Sequence, residues 1–273
     1  MTPEFGTLYR LSQVLQHRRW QVFSQPFLHI TAYNVFTPEF YTWVENAYAE
    51  LLRQRLTERN SPGRLLRPDA NFDAHAMAFT DDMPLPLQVF ASREWHDMLA
   101  ALMGIPATGD VNGGFHHHRT ASKNGTVHND LNPGWFIDPP YPGTINLANE
   151  ELCQYTTGKV PANEIQVHQT ARAVAILMFL HNPPWRPGDG GETGLYSRPD
   201  QPVHQPTKAI PPINNSIFIF ECTPNSYHSF ISNQAGPRNS MIMWLHRPIQ
   251  DAVQRFGENE IVNWPSNPAS PTR

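Results

Sequence analysis

The residues of this chain best placed to do chemistry are His128 and Asp130, in the string Val127-His128-Asn129-Asp130. In an extended segment, positions i and i+2 face the same way, so an imidazole and a carboxylate can grip one metal ion. The triplet is cheap by itself. With 13 histidines in the chain, about 0.5 His-x-Asp triplets are expected by chance at this composition. What raises its value is order along the chain. His228 follows, and Arg238-Asn239-Ser240 begins ten residues after it. Arg-x-Ser also occurs at Arg10-Leu11-Ser12, so it carries little information alone. An Arg at +10 together with a Ser at +12 from any histidine well downstream of Asp130 has a chance probability of about 0.015.

Two imidazoles and one carboxylate on one side of a metal leave the opposite positions open, an arrangement associated with non-haem Fe(II) oxygenases. Zinc is more often tetrahedral with a single open position. In the strand expected after His228, Arg238, Ser240, Ile242 and Trp244 share one face, and Asn239, Met241, Met243 and Leu245 share the other. An inward Arg beside a hydroxyl is costly unless it meets an anion, and its planar fork suits a carboxylate. A dicarboxylate cosubstrate would supply one.

Several elements are needed to position these groups. A helix opens at Thr37-Pro38-Glu39, with Thr37 as cap and Pro38 at the first helical position. Phe40, Trp43, Val44, Ala47, Leu51, Leu52 and Arg55 recur along it at helical spacing. A second helix is expected over 92–103, with Trp95, Met98, Leu99 and Leu102 inward and Gly104 as its stop. Beyond it the texture changes to short β-prone runs at 114–122, 171–180, 217–222, 228–232 and 239–246, separated by Gly, Pro and Asn. The run 171–180 is apolar on both faces, as a covered central strand should be. Turn signals crowd 131–169, which reads as a long connection serving as a lid.

The composition narrows the class. The chain has 273 residues, with 40% hydrophobic, only 16% charged and 27 prolines, which favours many short elements joined by turns. A net charge of −4, with basic residues scattered along the chain, supplies no stripe for nucleic acid. Two cysteines, Cys153 and Cys222, rule out a disulfide framework or Cys-rich zinc site and leave room for one bridge at most. No apolar run approaches the roughly 20 residues that cross a bilayer, so the expectation is a cytoplasmic protein without a membrane partner.

With these residues in view, the chain resembles the Fe(II)/2-oxoglutarate-dependent oxygenases, in their prolyl-4-hydroxylase-like branch. The likeness rests on several segments: Gln25-Pro-Phe27 through Asn34-Val-Phe-Thr-Pro38, Leu177-Met-Phe-Leu-His-Asn-Pro-Pro-Trp185, Gly190-Gly-Glu-Thr-Gly-Leu-Tyr196, and Ser216-Ile-Phe-Ile-Phe220 leading to Tyr227-His228 and Arg238–His246. It implies a mainly β fold with flanking helices around a double-stranded β-helix (jelly-roll, cupin-like) core. It also implies one domain over 1–262, with helical support at 37–104, the core at about 111–247, a lid insertion at about 131–169 and a flexible tail at 263–273.

Carried over by position, the resemblance makes His128, Asp130 and His228 the catalytic iron ligands, with Arg238 and Ser240 receiving the distal carboxylate of 2-oxoglutarate. Fe(II), 2-oxoglutarate and O2 are the cofactor and cosubstrates it implies, with succinate and CO2 as coproducts of hydroxylation at an unactivated C–H bond. Asp130, where related halogenases carry a small residue, favours hydroxylation. Two departures stand out. The separation of Asp130 from His228 is long for the family, and His118 stands where the family often has Tyr. His118 is therefore placed in the cosubstrate pocket. Within His116-His117-His118, alternation lets only the first and third converge.

Four residues are candidates for substrate contact, each with a structural alternative. Trp135 and Phe136 could cover the substrate or seal the core. Arg172 could read a substrate carboxylate or form an internal ion pair. Trp244 could touch substrate or fill the barrel. The expected substrate is a small metabolite, an amino acid or natural-product intermediate. The alternatives are a peptidyl prolyl hydroxylase and a non-catalytic jelly-roll that binds metal and 2-oxo acid.

Overall fold

The computed structural model describes residues 9–16, 19–57, 67–68, 73–139, 143–161 and 164–263. The expected tail lies outside these from residue 264 onward. Helix α1 (Pro38–Thr57) starts as its sequence predicts, with Thr37 Oγ1 accepting from the Phe40 amide at 3.3 Å. Helix α2 (Arg93–Met103) is capped by Ser92 and ends on Gly104 at φ 65°, a left-handed stop that glycine adopts without a Cβ clash. A third helix, α3 (Ile249–Phe256), follows the last strand.

Thirteen strands are described, in two sheets. The first five are β1 (Gln21–Phe23), β2 (His29–Tyr33), β3 (Arg67–Pro68), β4 (His75–Ala78) and β5 (Asp110–His118). Then come β6 (Pro133–Ile137), β7 (Asn146–Leu147), β8 (Val167–Phe179) and β9 (Thr193–Leu195). The last are β10 (Lys208–Ile210), β11 (Ser216–Glu221), β12 (His228–Phe230) and β13 (Arg238–Pro248). The larger sheet runs β1-β2-β11-β8-β13-β5-β4-β3, with β6 added beside β8 and β7 beside β5; the smaller runs β10-β9-β12. This is a double-stranded β-helix, mostly β with supporting helices.

The larger sheet separates two cores. Val174, Ile176 and Met178 of β8, with Met241, Met243 and Leu245 of β13, pack against Phe40, Val44 and Tyr48 of α1 and Trp95 and Leu99 of α2. On the other face, Ala175, Leu177 and Phe179 join Phe218, Phe220 and Leu195, with Ile242 and Trp244 partly buried beside them. Both faces of β8 are therefore apolar, because each is covered.

Two expectations need correction. The strand expected at 114–122 is displaced toward the N-terminus, to Asp110–His118. Its early residues are held by β13 and β7, while Ala121 at φ 64° belongs to the turn that ends it. The stretch 131–169 is also not a bare connection. Its β6 pairs antiparallel with β8, Pro133 opposite Ala171, and Asn146 and Leu147 pair in parallel with the start of β5. Proline and glycine at the head of β6 read as turn signals in sequence, but the neighbouring strand supplies the hydrogen bonds.

Candidate functional site

His128 and Asp130 sit on the extended segment between β5 and β6, and His228 opens β12. One antiparallel bridge joins them: His128 N–H donates to the His228 carbonyl at 3.1 Å and His228 N–H to the His128 carbonyl at 2.8 Å. Between the two, Asn129 turns the other way and donates to the Pro224 carbonyl at 3.0 Å. The alternation thus places both candidate ligands on one side.

Both imidazoles are anchored through Nδ1, His128 to the Thr126 carbonyl at 2.7 Å and His228 to the Ser226 carbonyl at 3.0 Å. An Nδ1–H donating to a carbonyl puts the ring's lone pair on Nε2, the tautomer a metal needs. The Nε2 atoms point at Asp130, 3.6 Å from Oδ1 for His128 and 3.3 Å from Oδ2 for His228. One ligand atom from each of the three lies within 4.8 Å of the others, so the donor set and spacing fit a facial two-histidine, one-carboxylate site. Burial, reinforced by the neighbouring His228, pushes the His128 pKa down to about 3, keeping its imidazole neutral. Burial opposes the Asp130 charge, but His228, Arg172 and His128 outweigh it and hold the carboxyl well below its ordinary range.

Arg238 begins β13, paired with His118 of β5, and its side chain is buried. It donates to Ser240 Oγ at 3.0 Å and, across the barrel, to Thr193 Oγ1 at 3.2 Å. The rings of Phe179 and Phe230 flank the guanidinium at 5.1 and 5.4 Å. Its Nε has no hydrogen-bond partner, and no carboxylate among the described residues lies in ion-pair range. Burial pushes its pKa down to about 9. A buried cation held by two hydroxyls fits an incoming carboxylate.

The His128–Asp130–His228 cluster and Arg238 open onto one cavity of about 780 Å³. His118 lines it too, stacked on Phe230 at 3.9 Å, and burial together with Arg238 keeps its ring neutral. His116 shares that wall, whereas His117 faces away and bonds Asn239 Oδ1 at 2.7 Å.

The expected substrate residues divide. Arg172 and Trp244 line the cavity; Trp135 and Phe136 do not. Phe136 is buried outside it among Tyr155, His168 and His246, because β6 pairs with β8 and turns that ring into the packing. The Trp135 ring lies against Gly158, within the 131–169 segment. Arg172 forms the internal ion pair that was its structural alternative, donating to Asp130 Oδ1 at 3.3 Å. Sequence reasoning assigned no role to Thr193 or Tyr155. Thr193 follows Gly191-Glu192 in a segment already singled out, but only closure of the smaller sheet over β13 aims it at Arg238.

Residues 151–246 match the family model of the 2OG-Fe(II) oxygenase superfamily. That segment is similar to a 2OG-Fe(II) oxygenase domain. The match spans β8 to β13, so it includes His228, Arg238 and Ser240 and stops short of His128 and Asp130. No curated protein matches the sequence. Among solved structures, a prolyl hydroxylase from Trichoplax adhaerens, in complex with a hypoxia inducible factor oxygen degradation domain peptide fragment, is 16% identical. The alignment covers 85% of this chain and 84% of that one at a TM-score of 0.50, a likeness of fold. A Pseudomonas putida prolyl-4-hydroxylase is 13% identical over 80% of this chain and 92% of its own, at a TM-score of 0.48. The described helices of this chain include none long and apolar enough to cross a membrane.

Proposed function

We propose that His128, Asp130 and His228 hold Fe(II), that Arg238 with Ser240 and Thr193 receives the distal carboxylate of 2-oxoglutarate, and that the enzyme hydroxylates a small metabolite. The observation that carries this reading is the pair of opposite half-sites in one cavity: a facial donor set, and a buried guanidinium with an unpartnered Nε. Fe(II) bound there, with 2-oxoglutarate and O2, supplies the oxidant for an unactivated C–H bond and releases succinate and CO2. The chain's own residues do the rest. The two Nδ1 anchors turn the imidazole Nε2 atoms toward the metal position, Asp130 stays ionised, and Arg238 orients the dicarboxylate. The apolar floor of Leu177, Phe230 and Ile242 limits water around the reacting groups.

The cavity volume favours a free small molecule, since pockets for such ligands span about 300–1,000 Å³. A peptidyl prolyl substrate is the second reading, favoured by the fold shared with the Trichoplax enzyme that holds a peptide. Anaerobic titration with Fe(II) and 2-oxoglutarate, followed by succinate formation with free amino acids and with proline-containing peptides, tests both readings. Faster succinate release with peptides alone overturns the small-metabolite reading. Absence of both Fe(II) and 2-oxoglutarate binding overturns the site.

A further inference from the structure

Asp130 is not held by its neighbouring imidazoles alone. Trp244 Nε1–H donates to Oδ2 at 2.8 Å, and Arg172 Nη1–H donates to Oδ1 at 3.3 Å, so each carboxylate oxygen has its own donor. The two donors brace each other, with the Arg172 guanidinium 3.8 Å above the Trp244 ring. Arg172 is fixed in turn from the segment 131–169. Its Nε–H donates to the Tyr155 hydroxyl at 3.0 Å, and that hydroxyl lies 3.1 Å from His246 Nε2. His246 Nδ1 is 2.8 Å from Thr170 Oγ1, which closes the chain of contacts inside the barrel.

Trp244 belongs to β13, Arg172 to β8 and Tyr155 to the segment between β7 and β8, so three separately folded pieces converge on one carboxylate. Tyr155 is buried and Arg172 is largely so, with 12% of its side chain exposed, and a guanidinium spends its donors in a planar fork. A carboxylate with both oxygens hydrogen-bonded cannot rotate freely about χ2, and the lone pair it offers a metal is therefore preset.

Resting on the metal-site reading above, we infer that Arg172, Trp244 and Tyr155 are positioning residues that clamp Asp130. Through Tyr155, the segment 131–169 sets the metal-binding geometry as well as lining part of the cavity. The clamp also consumes the charge of Arg172, so the substrate meets a neutralised guanidinium in the cavity wall.

The test uses Mn(II) as a redox-inert probe and reads free Mn(II) by electron paramagnetic resonance in the full chain. Trp244→Phe keeps the ring and deletes the donor, Arg172→Lys keeps the charge and deletes the fork, and Tyr155→Phe deletes one hydroxyl. Loss of partners around a metal ligand typically weakens affinity about 10–100-fold, the range expected for Trp244→Phe and Arg172→Lys. Tyr155→Phe is expected to weaken it about fivefold, roughly the worth of one hydrogen bond. In the Arg172→Lys background it should cost nothing further, because the two act in series. At saturating Mn(II) the variants should bind 2-oxoglutarate within about twofold of wild type, which a general loosening of the barrel would not allow.

Mn(II) affinity within twofold of wild type in both Trp244→Phe and Arg172→Lys overturns the clamp. Full additivity of Tyr155→Phe and Arg172→Lys overturns the role of the 131–169 segment. His128→Ala separates the two levels: undiminished Mn(II) binding there overturns the metal site itself, whereas loss there with unchanged clamp variants overturns the clamp alone.

Discussion

Asp130 and Arg238 are both buried charges on the wall of one cavity, and their surroundings are opposite. Asp130 has Arg172 and Trp244 on its oxygens and two imidazoles beside it. Arg238 has two hydroxyls and an Nε with no partner. A buried charge fully supplied with donors is rigid before any ligand arrives, whereas one left short of partners is destabilising until a counter-charge enters. On the proposed reading, the protein preorganises the metal end of the cavity and leaves the other end to be completed by the dicarboxylate.

The largest effect should come from breaking the preorganised end. Asp130→Ala or His228→Ala is expected to bring Fe(II)-dependent succinate formation to background, and residual turnover at wild-type rates would remove these residues from the metal. Next comes Arg238→Gln, which should raise the 2-oxoglutarate needed for half-maximal turnover about 100-fold, in line with the cost of truncating a buried charge pair. In the ligand-free protein the same change should cost under about 1 kcal/mol or stabilise it, since it relieves an unpaired cation. A denaturant titration showing a large loss would mean that Arg238 already has its counter-charge. Saturation with 2-oxoglutarate at a hundred times its Kd should add about 2.7 kcal/mol to wild-type stability and little to Arg238→Gln. Ser240→Ala removes one neutral acceptor and should raise the 2-oxoglutarate requirement about fivefold, the worth of one hydrogen bond.

The smallest effect concerns a third charged cluster, where the start of β8 meets β5 and β6. His168 Nε2 is 2.9 Å from Asp110 Oδ2, and its Nδ1 is 2.8 Å from Asp138 Oδ1. Burial opposes the imidazolium, but Asp110 first and Asp138 after it raise the His168 pKa above its ordinary value. A raised folded-state pKa contributes stability that is fully present below the unfolded value and lost as pH rises through the folded one. Thermal unfolding from pH 6 to 8 should therefore show wild type losing ground relative to His168→Gln. Parallel profiles would show that this cluster, unlike the other two, does not hold a charge that matters.

Much of this was legible without coordinates. That His128 pairs with Asp130, and Arg238 with Ser240, on one face followed from alternation along short strands, a local property, whereas His228 was singled out by its order in the chain and by the family resemblance. Helix limits at Pro38 and Gly104 were equally local, set by the fixed φ of proline and the left-handed φ open to glycine. The errors fell where a distant partner decides. Phe136 is a candidate contact folded into packing, and for Arg172, which lines the cavity, the structure supplies the ion pair with Asp130 that the sequence left open as an alternative.

By itself, then, the sequence determined which neighbouring side chains share a face, His128 with Asp130 and Arg238 with Ser240, and which faces of its strands must be apolar, because both depend on backbone periodicity. Only the tertiary structure decided that Thr193 reaches Arg238, that Tyr155 and Arg172 are spent on Asp130, and that 133–137 is a strand. Those outcomes depend on which segments lie side by side, and pairing between residues far apart in the chain leaves no periodic trace in either partner.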